Sequence, residues 1–249
     1  MQERILGERT VLDHGLVRLL DPFMGSDLHI IRAARVSHDA AWRAGDNEAS
    51  DLKLMRRLWR GKPECNEPLP PLPKHSTPFE ACCMTFEVMA PIFVFRQWHR
   101  HRTQSYNELS ARYRELPETF YLPTPDAVGV QSKDNKQGRT LMTEGAGSLD
   151  MREEEIEWVR VYCEQSFSLY RKLLAAFWPK ELARIVLPMG TYSHMFTTMN
   201  LLNFFKFASL RADPHAQYEI RVYAEAMLDM VADICPVAVA LFREANGTV

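Results

Sequence analysis

The segment RQWHRHRTQSYNELSARYR, Arg96 to Arg114, gathers five arginines (96, 100, 102, 112 and 114) with His99 and His101 against a single acid, Glu108. A planar guanidinium grips phosphate through two parallel N–H bonds, and like charges crowded together destabilise a helix unless an anion or acid neutralises them. The stripe therefore reads as a phosphate or nucleotide pocket, or as a solvated basic face with its counter-ions. Tyr106, Asn107, Glu108 and Ser110 favour the pocket, because reading a base takes amides, a carboxylate and hydroxyls beside the phosphate cradle. A second cluster, RADPHAQYE from Arg211 to Glu219, falls where a helix is expected to begin. Free N–H groups and the helix dipole welcome negative charge there, so Arg211 and His215 would face an anionic ring or phosphate; the plainer reading is a capped helix with solvated polar residues. Arg184 and Asn200 interrupt apolar stretches, and such residues are more often structural hydrogen bonders than ligands.

Other chemistries weigh less. His75, His99 and His101 invite a metal, yet an i, i+2 pair on a helix diverges and no HExxH or cysteine ligand flanks it, so no metal is expected. Ser110 lies in no GxSxG elbow, and the basic cluster holds no cysteine to act as nucleophile. The five cysteines, 65, 82, 83, 163 and 235, are odd in number without CxxC spacing, which fits reduced thiols. Thirty basic against 32 acidic side chains leave a net charge of -2, so any anion site is local, and neither a nucleic-acid polymer nor a membrane is an expected partner. The first residues, MQERILGERT, lack the apolar stretch of a signal peptide, and the longest apolar runs fall short of the ~20 residues that span a bilayer; a cytoplasmic location is expected.

The 249 residues, 46% hydrophobic and 25% charged, suit one compact domain over 1–249. Residues 11–20 suggest a strand bent at Gly15, and Leu28 to Val36 a helix capped by Ser26 or Asp27. Six prolines between Pro63 and Pro78 demand an extended loop ending near His75. Met84, Phe86 and Val88 alternate with polar neighbours as in a half-buried strand, which Pro91 ends while opening a helix that runs into the basic stripe. Residues 122–150 read as a long loop. Ile156, Val159, Cys163, Phe167, Tyr170, Leu174 and Phe177 mark a long amphipathic helix before Pro179, and a last helix begins at Asp213–Pro214. Helices with few strands give α+β.

Arg100-His101-Arg102, seven residues, then Ser110 is the RHR-x7-S signature of the flavin-dependent thymidylate synthases, and the chain resembles that family also in RAARVS (32–37), HSTPFE (75–80), ARIVLP (183–188) and LRADPHAQYEI (210–220). The resemblance implies a homotetrameric α+β fold, an antiparallel sheet packed with long helices, whose active sites are assembled from several subunits. It implies FAD, NADPH and 5,10-methylenetetrahydrofolate as cofactors and a uridylate nucleotide as substrate. By the same resemblance, His75, Thr77, Glu80, Arg100, His101, Arg102, Asn200 and His215 would contact flavin, with Lys206 standing where the family has Asn or His. Gln97, Arg100, Glu108, Ser110, Arg112, Arg184 and Arg211 would hold the nucleotide, and Arg211 would be catalytic, stabilising the ionised uracil ring.

Leu201, Leu202 and His194 also depart from the family pattern. These departures admit a specialised paralogue that acts on UMP or transfers a hydroxymethyl group. A reading from another class is a non-catalytic single-stranded nucleic-acid module that stacks bases on Tyr106 and Tyr113.

Overall fold

Two short strands joined by a tight turn open the chain, β1 (Ile5–Val11) and β2 (Gly15–Leu20), paired from Ile5↔Leu20 to Val11↔Gly15. In this computed structural model the described residues are 4–61, 67–133, 136, 138–140 and 149–247. The bend expected at Gly15 is instead a turn centred on residues 12–14, with Leu12 in the left-handed region at φ 60°. Gly15 is required for space. A Cβ there would lie 2.0 Å from the Tyr223 hydroxyl, which donates to the Met89 carbonyl at 2.8 Å.

Helix α1 (Asp27–Arg35) follows with Ser26 as its N-cap, as expected, and α2 (Glu48–Arg60) begins at Asn47, whose Oδ1 accepts from the Ser50 N–H at 2.9 Å. The sequence signals above do not mark α2. The proline-rich stretch is extended where it is described and ends in a 3₁₀ turn, Thr77–Ala81; Pro63 and Cys65 lie outside the described residues. Next come β3 (Cys83–Pro91), α3 (Ile92–Trp98) and β4 (Ser105–Glu108).

Within residues 122–150 the chain forms α4 (Pro125–Val128) and a two-stranded ribbon of β5 (Val130–Gln131) and β6 (Arg139–Thr140); residues 134–135, 137 and 141–148 lie outside the described set. Then follow α5 (Leu149–Ala175), α6 (Lys180–Ala183), β7 (Tyr192–Asn200), α7 (Leu201–Arg211), α8 (Tyr218–Ala232) and α9 (Pro236–Asn246).

The main sheet has the order β1-β2-β3-β7-β4, antiparallel throughout, which gives the α+β architecture expected. Alternation on β3 turns Met84, Phe86, Val88 and Ala90 inward, against an aromatic layer from α7 in which Phe204, Phe205 and Phe207 are fully buried. Phe86 meets Phe204 at 6.0 Å, and Trp98 meets Phe207 at 4.7 Å between ring centroids. The opposite face is polar, with Arg18 bonded to Glu87 and His194 to Glu87.

Two helix boundaries differ from expectation, and one further helix follows. The helix capped at Asp213 starts instead at Tyr218, because the Asp213 side chain holds the His215 N–H and its carbonyl the Ala216 N–H, closing a separate turn. It is not the last helix, since Pro236 opens another. On α5 the stripe buries Cys163, Phe167 and Tyr170, but Val159 is exposed, and Phe177 lies beyond the helix end at φ 63° and is 96% exposed.

Asp27 links the chain's two ends. Its carboxylate accepts from the N–H groups of Val237 (2.7 Å) and Ala238 (3.0 Å), satisfying the first turn of α9 from α1. Asp27→Ala strands those donors, and urea unfolding should show a loss of about 1–2 kcal/mol; unchanged stability would remove the tether from the account of the fold.

Candidate functional site

Only the first three residues of the basic stripe, Arg96 to Trp98, are helical. Helix α3 stops at Trp98, and the chain turns through His99 to Gln104 before entering β4, where Ser105 to Glu108 pair with β7 at the sheet edge. The Tyr106 hydroxyl explains the stop. It donates toward the Trp98 carbonyl (3.2 Å) and the His101 carbonyl (2.6 Å), serving acceptors that a continuing helix would have used. This tie fixes the RHR segment on the sheet edge and engages the hydroxyl of one of the two tyrosines read as base-stacking residues. His99 and His101 diverge, the first lying 3.7 Å from Glu108 and the second facing α7.

Arg211 sits at the last residue of α7, so it meets the negative end of a helix dipole rather than the positive start expected for it. One turn earlier on the same face, Phe207 packs edge-on against the His101 ring at 5.0 Å, which aims that ring at Arg211. Arg211 Nε donates to His101 Nε2 at 3.0 Å, Nη1 to the Gln97 side-chain carbonyl at 3.3 Å, and Nη2 to the Gln97 backbone carbonyl at 3.4 Å. Since His101 Nε2 accepts, its ring is neutral with the proton on Nδ1. Burial, and then the Arg211 charge, push the His101 pKa down to about 4. Burial and then Arg100 lower that of Arg211 in turn. No carboxylate among the described residues lies within ion-pair distance of Arg211, Arg100 or Arg102. A hollow of about 390 Å³ opens beside Arg211, lined also by Gln97, Asp213 and His215.

The remaining residues fall into two other places. Glu108 and Arg184 line a cavity of about 360 Å³; Glu108 accepts from Ser193 Oγ at 2.8 Å, and Arg112 reaches Glu181 on its rim at 3.1 Å. Ser110 begins the neighbouring turn, its carbonyl accepting from the Tyr113 and Arg114 N–H groups. His75 and Thr77 line a cleft of about 720 Å³ that includes His38, Arg57 and Lys74, with Glu80 exposed on the same 3₁₀ turn. Asn200 is the N-cap of α7, its Oδ1 accepting from the Asn203 N–H at 2.9 Å, while Lys206 is exposed. Leu201 and Leu202 are core residues, and His194 is committed to Glu87 at 2.8 Å. One chain thus brings together Gln97, His101 and Arg211, and leaves the Glu108–Arg184 and His75–Thr77 groups lining cavities of their own.

Sequence reasoning missed Glu219, a carboxylate only 2% exposed, paired with Arg139 at 3.0 Å. A signal was available, since Glu219 lies four residues before Tyr223 on the stripe that α8 buries, an unusual place for an acid.

Comparison with known proteins covers nearly the whole chain. Residues 18–237 match the family described as thymidylate synthase complementing protein. The flavin-dependent thymidylate synthase of Gluconobacter oxydans is 42% identical over 237 residues, 94% of this chain and 72% of that one. That of Treponema denticola is 40% identical over 242 residues, 96% of this chain and 84% of its own. In structure the chain is similar to a UMP/dUMP methylase, PolB from Streptomyces cacaoi, bound with 5-Br dUMP, at a TM-score of 0.80 and 33% identity over 96% of this chain and 99% of that one.

The Arg211–His101 contact makes a titration test. His101 should remain neutral down to about pH 4 by NMR. Its folded pKa lies below the ordinary value of about 6.5, so its contribution to stability is whole above that pH and fades as pH falls toward 4. Arg211→Ala removes the repelling charge and should raise the value; an unmoved titration would mean the guanidinium does not face the ring.

Proposed function

The chain belongs to the flavin-dependent thymidylate synthase family, and from that membership we propose that it carries out the reductive C5-methylation of a uridylate, converting dUMP to dTMP. Methylenetetrahydrofolate is the carbon donor, and FAD and NADPH are the redox partners. The observation that carries this reading is Arg211, a half-buried guanidinium held by a neutral imidazole and an amide, with its charge left free of any carboxylate among the described residues. At the N3/O4 edge of uracil such a charge favours the ionised ring and pushes electron density toward C5. Its half-buried setting screens it less than bulk water would. Ser110 serves as a binding hydroxyl, and Glu108, Arg112 and Arg184 hold the remainder of the nucleotide.

The residues fit a flavin dinucleotide. Arg100 and Arg102 are exposed guanidinia suited to its phosphates, and the cleft at His75 and Thr77 adds the cations Arg57 and Lys74. Glu80, Asn200, Lys206 and His215 contribute polar contacts, and His101, being neutral, adds a hydrogen-bonding ring without charge. When bound, the flavin supplies the hydride that completes the methyl group; the protein's part is to orient the rings and exclude water.

The three separate groups of residues support a site shared between copies of one 249-residue domain, assembled as a homotetramer. The exposed Trp158, Val159, Tyr162 and Leu169 on α5 provide apolar surface for that contact. A cytoplasmic location accords with this reading; among the described residues no helix is long and apolar enough to cross a membrane. Action on UMP as well as dUMP is a second reading, favoured by the similarity to a UMP/dUMP methylase that has been solved with both 5-Br dUMP and 5-Br UMP.

With FAD, NADPH and methylenetetrahydrofolate, mass analysis of the products from dUMP and UMP should show a gain of one methyl group on the preferred nucleotide; no methylated product from either would refute the proposal. Arg211→Ala should lower tritium release from 5-labelled dUMP by about 10²–10³-fold. Light scattering should give about four times the 28.8 kDa chain mass, and a monomer with full activity would refute the shared site.

A further inference from the structure

A chain of side chains leads from Arg211 to a buried acid that has no part in the site as described so far. Arg211 donates to the Gln97 amide carbonyl at 3.3 Å, Gln97 Nε2 donates to Gln217 Oε1, and Gln217 Nε2 donates to Glu219 Oε2 at 2.8 Å. The other oxygen, Glu219 Oε1, accepts from the Tyr121 hydroxyl at 3.1 Å and from Arg139 at 3.0 Å. Each amide has one accepting and one donating end, and in isolation either glutamine could lie either way round. A carboxylate that faces an arginine can only accept. Gln217 must therefore turn its NH₂ toward Glu219 and its oxygen toward Gln97, and Gln97 must turn its NH₂ toward Gln217 and its oxygen toward Arg211.

We propose that Glu219 is a positioning residue which, through Gln217, sets the orientation of the Gln97 amide and so keeps an acceptor, not a donor, against the guanidinium of Arg211. The inference rests on the reading of Arg211 as the group that holds the uracil. It ties that arginine to β6, because Arg139 is the strand's first residue and is anchored on the same carboxylate, with its guanidinium 5.5 Å from the Tyr218 ring.

The polarity argument distinguishes positioning from plain structural support. In Glu219→Gln the new amide keeps its oxygen for Tyr121 and Arg139 and points its NH₂ at Gln217. Both glutamines then reverse, and Gln97 presents a donor to a donor. The exchanged pair Gln217→Glu with Glu219→Gln restores an acceptor facing Gln97 and hence the native orientation, with the carboxylate moved one link along.

Equilibrium dialysis of dUMP against the FAD-loaded protein should show affinity weakened about tenfold in Glu219→Gln and recovered in the exchanged pair. In the ligand-free proteins the His101 titration should follow the same order, moving in the single variant and returning in the pair. Native affinity in Glu219→Gln, or equal weakness in both variants, would overturn the relay. Arg211→Ala separates the two readings: if it binds dUMP as tightly as the native protein, the assignment of Arg211 itself fails, whereas weak binding there beside native binding in Glu219→Gln defeats the relay alone.

Discussion

The constraint around which the site is organised is a positive charge kept half-buried without a counter-charge among the described residues. Ordinarily an arginine in that position recruits a carboxylate, because taking a guanidinium out of water is costly. Arg211 is held instead by acceptors that are polar but uncharged, an imidazole nitrogen and two oxygens of Gln97. These accept from three of its five N–H bonds without cancelling its field. That arrangement requires His101 to stay neutral, which its burial and its charged neighbour ensure, and it gains from the negative end of α7.

Much of the fold serves to hold this pairing. Arg211 and His101 are 110 residues apart, and they meet because β3 and β7 are neighbours in the sheet while α3 and α7 each follow directly from one of those strands. Trp98 against Phe207 joins the two helices, and Phe207 against His101 orients the ring. Tyr106 in turn closes the end of α3 and delivers the chain to the sheet edge. The apolar core and the polar site are therefore one structure, since α7 presents its phenylalanines to the sheet and its terminal arginine to the RHR turn.

Candidate residues outside the Arg211 hollow line two further cavities. The Glu108–Arg184 cavity and the His75–Thr77 cleft each hold part of the polar equipment, with Arg184 lining the one and Arg57 and Lys74 the other. In the reading proposed above one site is shared over several surfaces, which would make assembly a condition of activity and account for motifs spread along nearly the whole sequence.

The guanidinia, amides and hydroxyls of the two arginine clusters made a phosphate or nucleotide pocket legible without coordinates, beside the plainer reading of a solvated basic face; the chemical class came from the resemblance that the RHR-x7-S signature and the other matching segments carry. Strong periodicity likewise declared β3, α1 and α5. The conformation of the basic stripe was not legible, since its charges carry no period and β4 exists only because the edge of β7 offers its backbone a partner. Helices α2 and α7 and the true start of α8 were hidden for a related reason: caps such as Asn47 and Asn200 read as ordinary polar residues until the turn they close is seen. Which end of a helix Arg211 occupies, which neighbours accept from it, and that a buried Glu219 stands behind them depend on contacts between residues distant in sequence, and only the tertiary structure decides those.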